Sequence, residues 1–169
     1  MRIGHGYDAH RLVDEKKLVL GGVVIPHEKG LLGHSDADVL THAIIDSLLG
    51  AAGMSDIGKL FPDSDPSFSD ADSIKFLKSV CLILLQSHFA ICNIDCTIIA
   101  QKPKLSEYIS AMKTKISSAC EISEHQINIK ATTEEGLGFT GNGQGICAHS
   151  VALIQELPPS LKLLNLTQI

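Results

Sequence analysis

The sequence predicts a single domain in which strands and helices are interleaved around one sheet, and three observations predict it. The chain has 169 residues, 44% of them hydrophobic, enough for one full core where domains commonly run to about 100–150 residues. Helical hydrophobic periodicity over long stretches alternates with short β-type runs. Neither a linker nor an internal repeat divides the chain.

Residues 2–10 read as a strand. Residues 17–20 and 23–25, joined by Gly21-Gly22, read as a hairpin. After a loop over residues 30–33, Ser35 is expected to cap a helix from Asp36 to about Ala52, with Asp38 at its third position favouring the start. Asp38, His42 and Asp46 are spaced by four and share one stripe, while Val39, Leu40, Ala43, Ile44 and Leu48 pack elsewhere. Residues 55–66 form a turn-rich loop, long enough to be a functional one. A helix over 72–88, a strand over 91–101, a helix over 104–120 and a strand over 127–133 follow. A glycine-dense segment, 134–145, leads into a last strand over 146–155. Residues 1–155 are expected to be the domain, and 156–169, with Pro158-Pro159, an extension packing on the surface or on a neighbour.

Charge and composition exclude several functions. A net charge of -5 with no basic run argues against a nucleic-acid or anionic-membrane partner. The longest strongly apolar run, residues 80–85, falls far short of the roughly 20 needed to cross a bilayer. Residues 1–6 lack the apolar stretch of a signal peptide, so a cytoplasmic location is expected. Cys81, Cys92, Cys96, Cys120 and Cys147 are odd in number and form no CxxC pair, which points to reduced thiols and core packing rather than disulfides or a thiolate metal site.

One pattern carries chemistry. In an extended segment Asp8 and His10 point to the same face while Tyr7 and Ala9 turn away, so both can reach one ion. His42 on the first helix would complete a three-ligand nitrogen and oxygen set, which on zinc usually leaves a fourth position for water or substrate. Asp38 and Asp46 are candidates for orienting His42, although exposed helix charges are the plainer reading. His5, His27, His88, His125 and His149 are taken as structural. His34 and Ser35 precede the helix, where a phosphate would meet free amides. Gly136 to Gly141 spells G-x-G-x-x-G, but a strand follows and no βαβ unit closes, so a dinucleotide fold is rejected. Asp63-Ser64-Asp65 lacks calcium-loop spacing. Residues 130–135 leave a strand with hydroxyls and carboxylates together, suited to magnesium and phosphate.

Taken together, residues 2–10 (RIGHGYDAH), 33–38 (GHSDAD), 56–63 (DIGKLFPD), 130–133 (KATT) and 138–141 (GFTG) closely resemble the 2-C-methyl-D-erythritol 2,4-cyclodiphosphate synthase family over about residues 1–155. The resemblance implies α+β subunits, each a mixed β-sheet with helices packed on one face. It further implies a homotrimer with sheets towards the threefold axis and active sites between neighbours. By position, Asp8, His10 and His42 look like the family's zinc ligands, His34 and Thr133 its transition-state stabilisers, and Glu135 the ligand of a magnesium or manganese ion bridging the diphosphate. Asp56, Ile57 and Gly58 would hold sugar hydroxyls. Phe61, Pro62, Asp63, Ser64 and Asp65 would hold the erythritol end. Ala100, Gln101, Lys102, Pro103, Lys104, Leu105 and Ser106, with Ala131, Thr132 and Thr133, would hold the cytidine. Ala9, Ser35, Glu134 and Phe139 complete the implied contacts.

The implied reaction is attack by the substrate's own 2-phosphate on its β-phosphate, releasing CMP. The attacking group is already anionic, so no deprotonating triad is required. The alternatives at this point are a zinc phosphoesterase and a non-catalytic nucleotide-binding trimer. Where the family commonly has arginine this chain has Asn142, and where it often has glutamate, Gln144. Asn142 lacks the two-pronged donor, which weakens the case for an anion contact there or for a ligand in the trimer's central channel.

Overall fold

A computed structural model describes residues 1–62, 65 and 71–158. In chain order the elements are β1 (Arg2–Asp14), β2 (Leu18–Leu20), β3 (Val23–Ile25), β4 (Lys29–Leu31), α1 (Val39–Ala52), α2 (Ile57–Leu60), α3 (Ser73–Gln86), β5 (Phe89–Ile99), α4 (Ile109–Cys120), β6 (Ile127–Thr132), α5 (Gly138–Gly141) and β7 (Gly145–Glu156). A five-stranded sheet runs β4-β1-β7-β5-β6, and β2 and β3 form a separate hairpin. Every neighbour in the sheet is antiparallel except β5 and β6, so the sheet is mixed. The fold is α+β. Among the described residues no helix is long and apolar enough to cross a membrane.

The strands alternate as a half-covered sheet should. On β7, Ile146, Ala148, Ala152 and Ile154 are buried while Val151 is exposed, and on β1 Gly4 and Gly6 are buried while Ile3, His5 and Tyr7 are exposed. Helix α1 lies on the inner face against β1 and β7, with α3 beside it and α4 beside α3. Because it is enclosed by sheet and helix together, α1 buries Val39, Leu40, Ala43, Ile44, Ile45, Leu48 and Leu49, apolar nearly all round rather than along one stripe.

The contact between α1 and β1 is made by backbone. A Cβ at Gly4 would stand 2.0 Å from the carbonyl oxygen of Ser47, and one at Gly6 2.0 Å from that of Ala43. Any side chain at either position would push the helix off the strand. Further along, Ser47 shares a buried hydroxyl contact of 2.9 Å with Ser150 of β7, which satisfies two polar groups inside the layer.

Several expected boundaries move. Helix α1 begins at Val39, not Asp36, and its cap is Asp38 rather than Ser35. Ala37 has a φ of 56°, which breaks helical geometry just before the cap. Asp38 is also fully buried, not an exposed helix charge. Its carboxylate accepts from the N–H groups of Gly21 (2.9 Å), Gly22 (2.7 Å) and Thr41 (3.1 Å) and from the Thr41 hydroxyl (2.7 Å). One carboxylate thus pins the β2–β3 turn to the start of α1.

Strand β1 continues to Asp14 because β4, expected as loop, pairs with it from Leu12↔Leu31 to Asp14↔Lys29. Helix α2 is a single turn inside the expected loop, capped by Asp56. Helix α4 starts at Ile109 rather than near Lys104, since Leu105 turns into the core first. The positions expected as Asp63, Ser64 and the extension beyond Pro158 lie outside the described residues.

Replacing Gly6 with alanine is expected to lower the unfolding free energy by about 1–3 kcal/mol or more, measured by urea denaturation. An unchanged midpoint would contradict backbone contact between β1 and α1.

Candidate metal centre

Past the two glycines, the inward face of β1 presents Asp8 and then His10, and the first turn of α1 presents His42 directly opposite. Asp8 Oδ2 lies 2.9 Å from His42 Nδ1 and 3.0 Å from His10 Nε2. The two ring nitrogens are 3.4 Å apart. Among the described residues this is the one group of three such side chains close enough to share an ion. For a tetrahedral ion bonded at about 2.0–2.1 Å, ligand atoms stand roughly 3.3 Å from one another. The donor set therefore fits a divalent ion such as zinc.

Each donor is aimed by a contact on its far side. His10 Nδ1 is 2.8 Å from the carbonyl oxygen of Leu32, so that nitrogen carries a proton, and with an ion bound Nε2 would offer it a lone pair. A Cβ at Gly33 would come within 3.1 Å of the His10 ring, so that glycine leaves room for the imidazole. His42 Nε2 meets the hydroxyls of Ser73 at 2.9 Å and Ser35 at 3.2 Å. Asp8 Oδ1 accepts from the N–H of Ala9 at 2.8 Å, leaving Oδ2 facing the histidines. Burial alone would raise the Asp8 carboxyl, but hydrogen bonds from His10 and His42 and their charge outweigh it and hold it well below the usual carboxylate range.

Asp38 and Asp46, the candidates for orienting His42, spend their hydrogen bonds elsewhere, Asp38 as above and Asp46 on the N–H of Ile57 at 2.8 Å. Ser73, the residue that does touch His42, stands thirty-one positions away in sequence, and no local pattern announces it. His34 is exposed and Ser35 half-buried ahead of the Asp38 cap. Side chains, more than the amides of α1, are what this segment offers an anion.

The residues expected around the cytidine come together at the ends of β5 and β6. Ala100, Gln101, Pro103, Lys104, Leu105, Ser106, Ala131, Thr132 and Thr133 line a cleft of about 280 Å³. Lys102 and Asn142 line a neighbouring one with His27 and Gly143. The Thr133 hydroxyl donates to Glu135 Oε1 at 2.7 Å, and Thr140 donates to Glu134. Gly141 serves the chain's own packing, because a Cβ there would stand 2.5 Å from the carbonyl carbon of Gly136, and Gly136 and Gly138 have φ of 84° and 66°. Exposed Phe139 lies over Gly145. Phe61 is stacked on Phe76 with ring centroids 4.4 Å apart. Pro62 and Asp65 are exposed, as are Asp56 and Gly58.

The sheet register sets the distance between these regions. Asp8 pairs with Ala148, Ala148 with Ile98, and Ile98 with Ala131. Three strand spacings, roughly 14 Å, separate the backbone of Asp8 from that of Ala131 in the cleft.

The YgbB family model matches residues 1–155. A 2-C-methyl-D-erythritol 2,4-cyclodiphosphate synthase of Trichlorobacter lovleyi is 60% identical over 154 residues, 91% of this chain and 98% of the relative. Among solved structures, the Plasmodium falciparum IspF in its CDP complex is 38% identical with a TM-score of 0.81, covering 93% of this chain and 97% of that one. The bifunctional IspDF of Campylobacter jejuni is 40% identical with a TM-score of 0.89, and the match spans 92% of this chain but 42% of that longer one.

The low Asp8 carboxyl sets a pH dependence. In metal-free protein its ionised form stabilises the fold above the unfolded carboxyl value near 3.9, and that contribution is lost as pH falls through and below it. Stability measured by denaturation between about pH 5 and 2 should fall less steeply for Asp8→Asn than for the parent. Equal slopes would show that Asp8 is not held ionised.

Proposed function

The chain belongs to the YgbB family, and from that premise we propose that it cyclises 4-diphosphocytidyl-2-C-methyl-D-erythritol 2-phosphate, giving the cyclic diphosphate and CMP in the non-mevalonate isoprenoid pathway. The observation that carries this reading is the convergence of Asp8, His10 and His42 on one point. The synthase relative identical at 60% of positions supports it.

In the proposed reaction a 2-phosphate oxygen bonds to the β-phosphorus, the bond from that phosphorus to the oxygen bridging the α-phosphate breaks, and CMP leaves with the electron pair. No proton has to be removed from the nucleophile, so the protein's task is alignment and charge neutralisation. Zinc held by Asp8, His10 and His42 would supply Lewis-acid polarisation of the β-phosphate. His34 and Ser35, ahead of α1, are proposed to hold phosphate oxygens, and Thr133 to stabilise the charge that builds as CMP departs. Glu135, oriented by the Thr133 hydroxyl, is proposed as the carboxylate for a magnesium or manganese ion. The cleft between β5 and β6 is proposed for the cytidine and the α2 region, from Asp56 to Asp65, for the erythritol. The CDP bound in the falciparum relative is consistent with a cytidine nucleotide as ligand.

We further propose a homotrimer with sites between neighbours. Ile3, Tyr7 and Val151 are exposed on the sheet face away from the helices, beside His5 and Asp95, and exposed apolar side chains grouped on one face are of the kind that partners cover. The roughly 14 Å between Asp8 and Ala131 is a wide gap for one diphosphate arm, and a second copy would close it. On this reading residues 1–155 are the catalytic domain, 156–169 an extension, and the reduced cytoplasm its place of action, in keeping with five free cysteines.

Phosphorus NMR of the purified protein with the diphosphocytidyl substrate should give cyclic diphosphate and CMP. Linear phosphates would indicate a phosphoesterase, and no turnover a binding protein. A chelator should abolish the reaction. His42→Ala should lose zinc and roughly 10²–10³-fold in kcat while the assembly state, read by light scattering, stays that of the parent. Dissociation would assign the metal a structural role.

A further inference from the structure

The far side of His42 is held by a chain of contacts that the proposed chemistry does not itself use. Ser73, the first residue of α3, is completely buried. Its Oγ lies 2.9 Å from His42 Nε2 and 2.5 Å from Asp36 Oδ1. The other Asp36 oxygen accepts from the Ser73 N–H at 3.1 Å, and the Asp36 N–H donates to the carbonyl of Ala71 at 3.1 Å. Asp36 therefore grips the start of α3 at three points. Ser35 Oγ stands 3.2 Å from the same imidazole nitrogen and 3.4 Å from Ser73 Oγ.

The direction of these bonds follows from proton counting. A serine hydroxyl has one proton and a carboxylate has none. If the Ser73 proton pointed at His42, bare oxygens would face each other at 2.5 Å between Ser73 and Asp36. The proton must lie on the Asp36 side, so Ser73 can only accept from His42, and the imidazole must carry its proton on Nε2. With an ion bound beside Asp8 and His10, Nδ1 is then the lone pair that meets it.

From this geometry we infer that Ser73 and Asp36 are positioning residues for the metal centre: Asp36 orients the Ser73 hydroxyl, and the hydroxyl fixes the tautomer and ring angle in which His42 can ligate. This rests on the reading of Asp8, His10 and His42 as metal ligands. His10 receives its orientation from a backbone carbonyl, which no substitution removes, whereas His42 receives it from a side chain on a different helix. The docking of α3 against α1 is thereby coupled to metal affinity, and outer partners of this kind are worth about 10–100-fold in affinity.

The test uses the full chain and zinc alone. Ser73→Thr and Ser73→Val have the same shape and differ only in the hydroxyl, so any packing cost is common to both. Zinc affinity, measured by competition with a chromophoric chelator, should be about 10–100-fold weaker for Ser73→Val than for Ser73→Thr. Imidazole-nitrogen NMR of the metal-free proteins should show a proton on His42 Nε2 in the parent and Ser73→Thr and its loss in Ser73→Val. Asp36→Asn should weaken zinc binding in the same direction. Equal affinities and equal tautomers for the Thr and Val variants would overturn the inference. A parent that binds no zinc would instead overturn the metal reading, while the tautomer comparison would still decide what Ser73 does to His42.

Discussion

The structure depends on a backbone contact. At Gly4 and Gly6 the strand β1 has no side chains on its inner face, and α1 lies against the peptide groups themselves, closer than any Cβ would allow. Ordinary sheet–helix packing keeps side chains between the layers. Removing them brings the first turn of α1 near enough for His42 to meet Asp8 and His10, which continue the same face of the same strand. The glycines and the ligands are thus one device: positions 4 and 6 set the approach, and positions 8 and 10 use it.

A second constraint holds the helix along its axis. Buried Asp38 ends α1 and binds both amides of the Gly21-Gly22 turn, so the hairpin fixes where the first turn begins and hence where His42 stands. Burial pushes its carboxyl up, against the hydrogen bonds from Gly22 and Thr41. The four donors on it are what make a buried carboxylate tolerable. Around this frame the polar groups behind Asp8, His10 and His42, namely Ser35, Asp36 and Ser73, are packed into a small network in which each has a partner, and among the described residues no buried side-chain donor or acceptor lacks one. Networks of that kind specify one arrangement of side chains rather than several.

Much of this was legible in the sequence, for identifiable reasons. The i, i+2 spacing of Asp8 and His10 states its geometry outright, because strand periodicity admits no other face. The long helices and strands announce themselves by apolar period. The same alternation also contained the signal for the close approach, since Gly4 and Gly6 share the face of Asp8 and His10, but the notable pair in that segment is the one with functional groups. The misassigned cap shows a limit of local reading. Ser35 and Asp38 are both good capping residues, and the choice between them was made by contacts with Gly21 and Gly22 that no local window contains. Strand β4 carries no readable period because it is three residues long with Gly30 at its centre. The orientation of His42 fell to Ser73 rather than to Asp38 or Asp46 because helical spacing shows only what shares a helix.

On the proposed reading, one strand and one helix in backbone contact hold a single divalent ion with three side chains. Crystals grown with zinc and measured at the zinc absorption edge test it most directly. One anomalous peak per chain is expected, bonded to Asp8 Oδ2, His10 Nε2 and His42 Nδ1 at about 2.0–2.1 Å, with Ser73 still against His42 Nε2. No peak at that point, or a peak bonded to other residues, would contradict it.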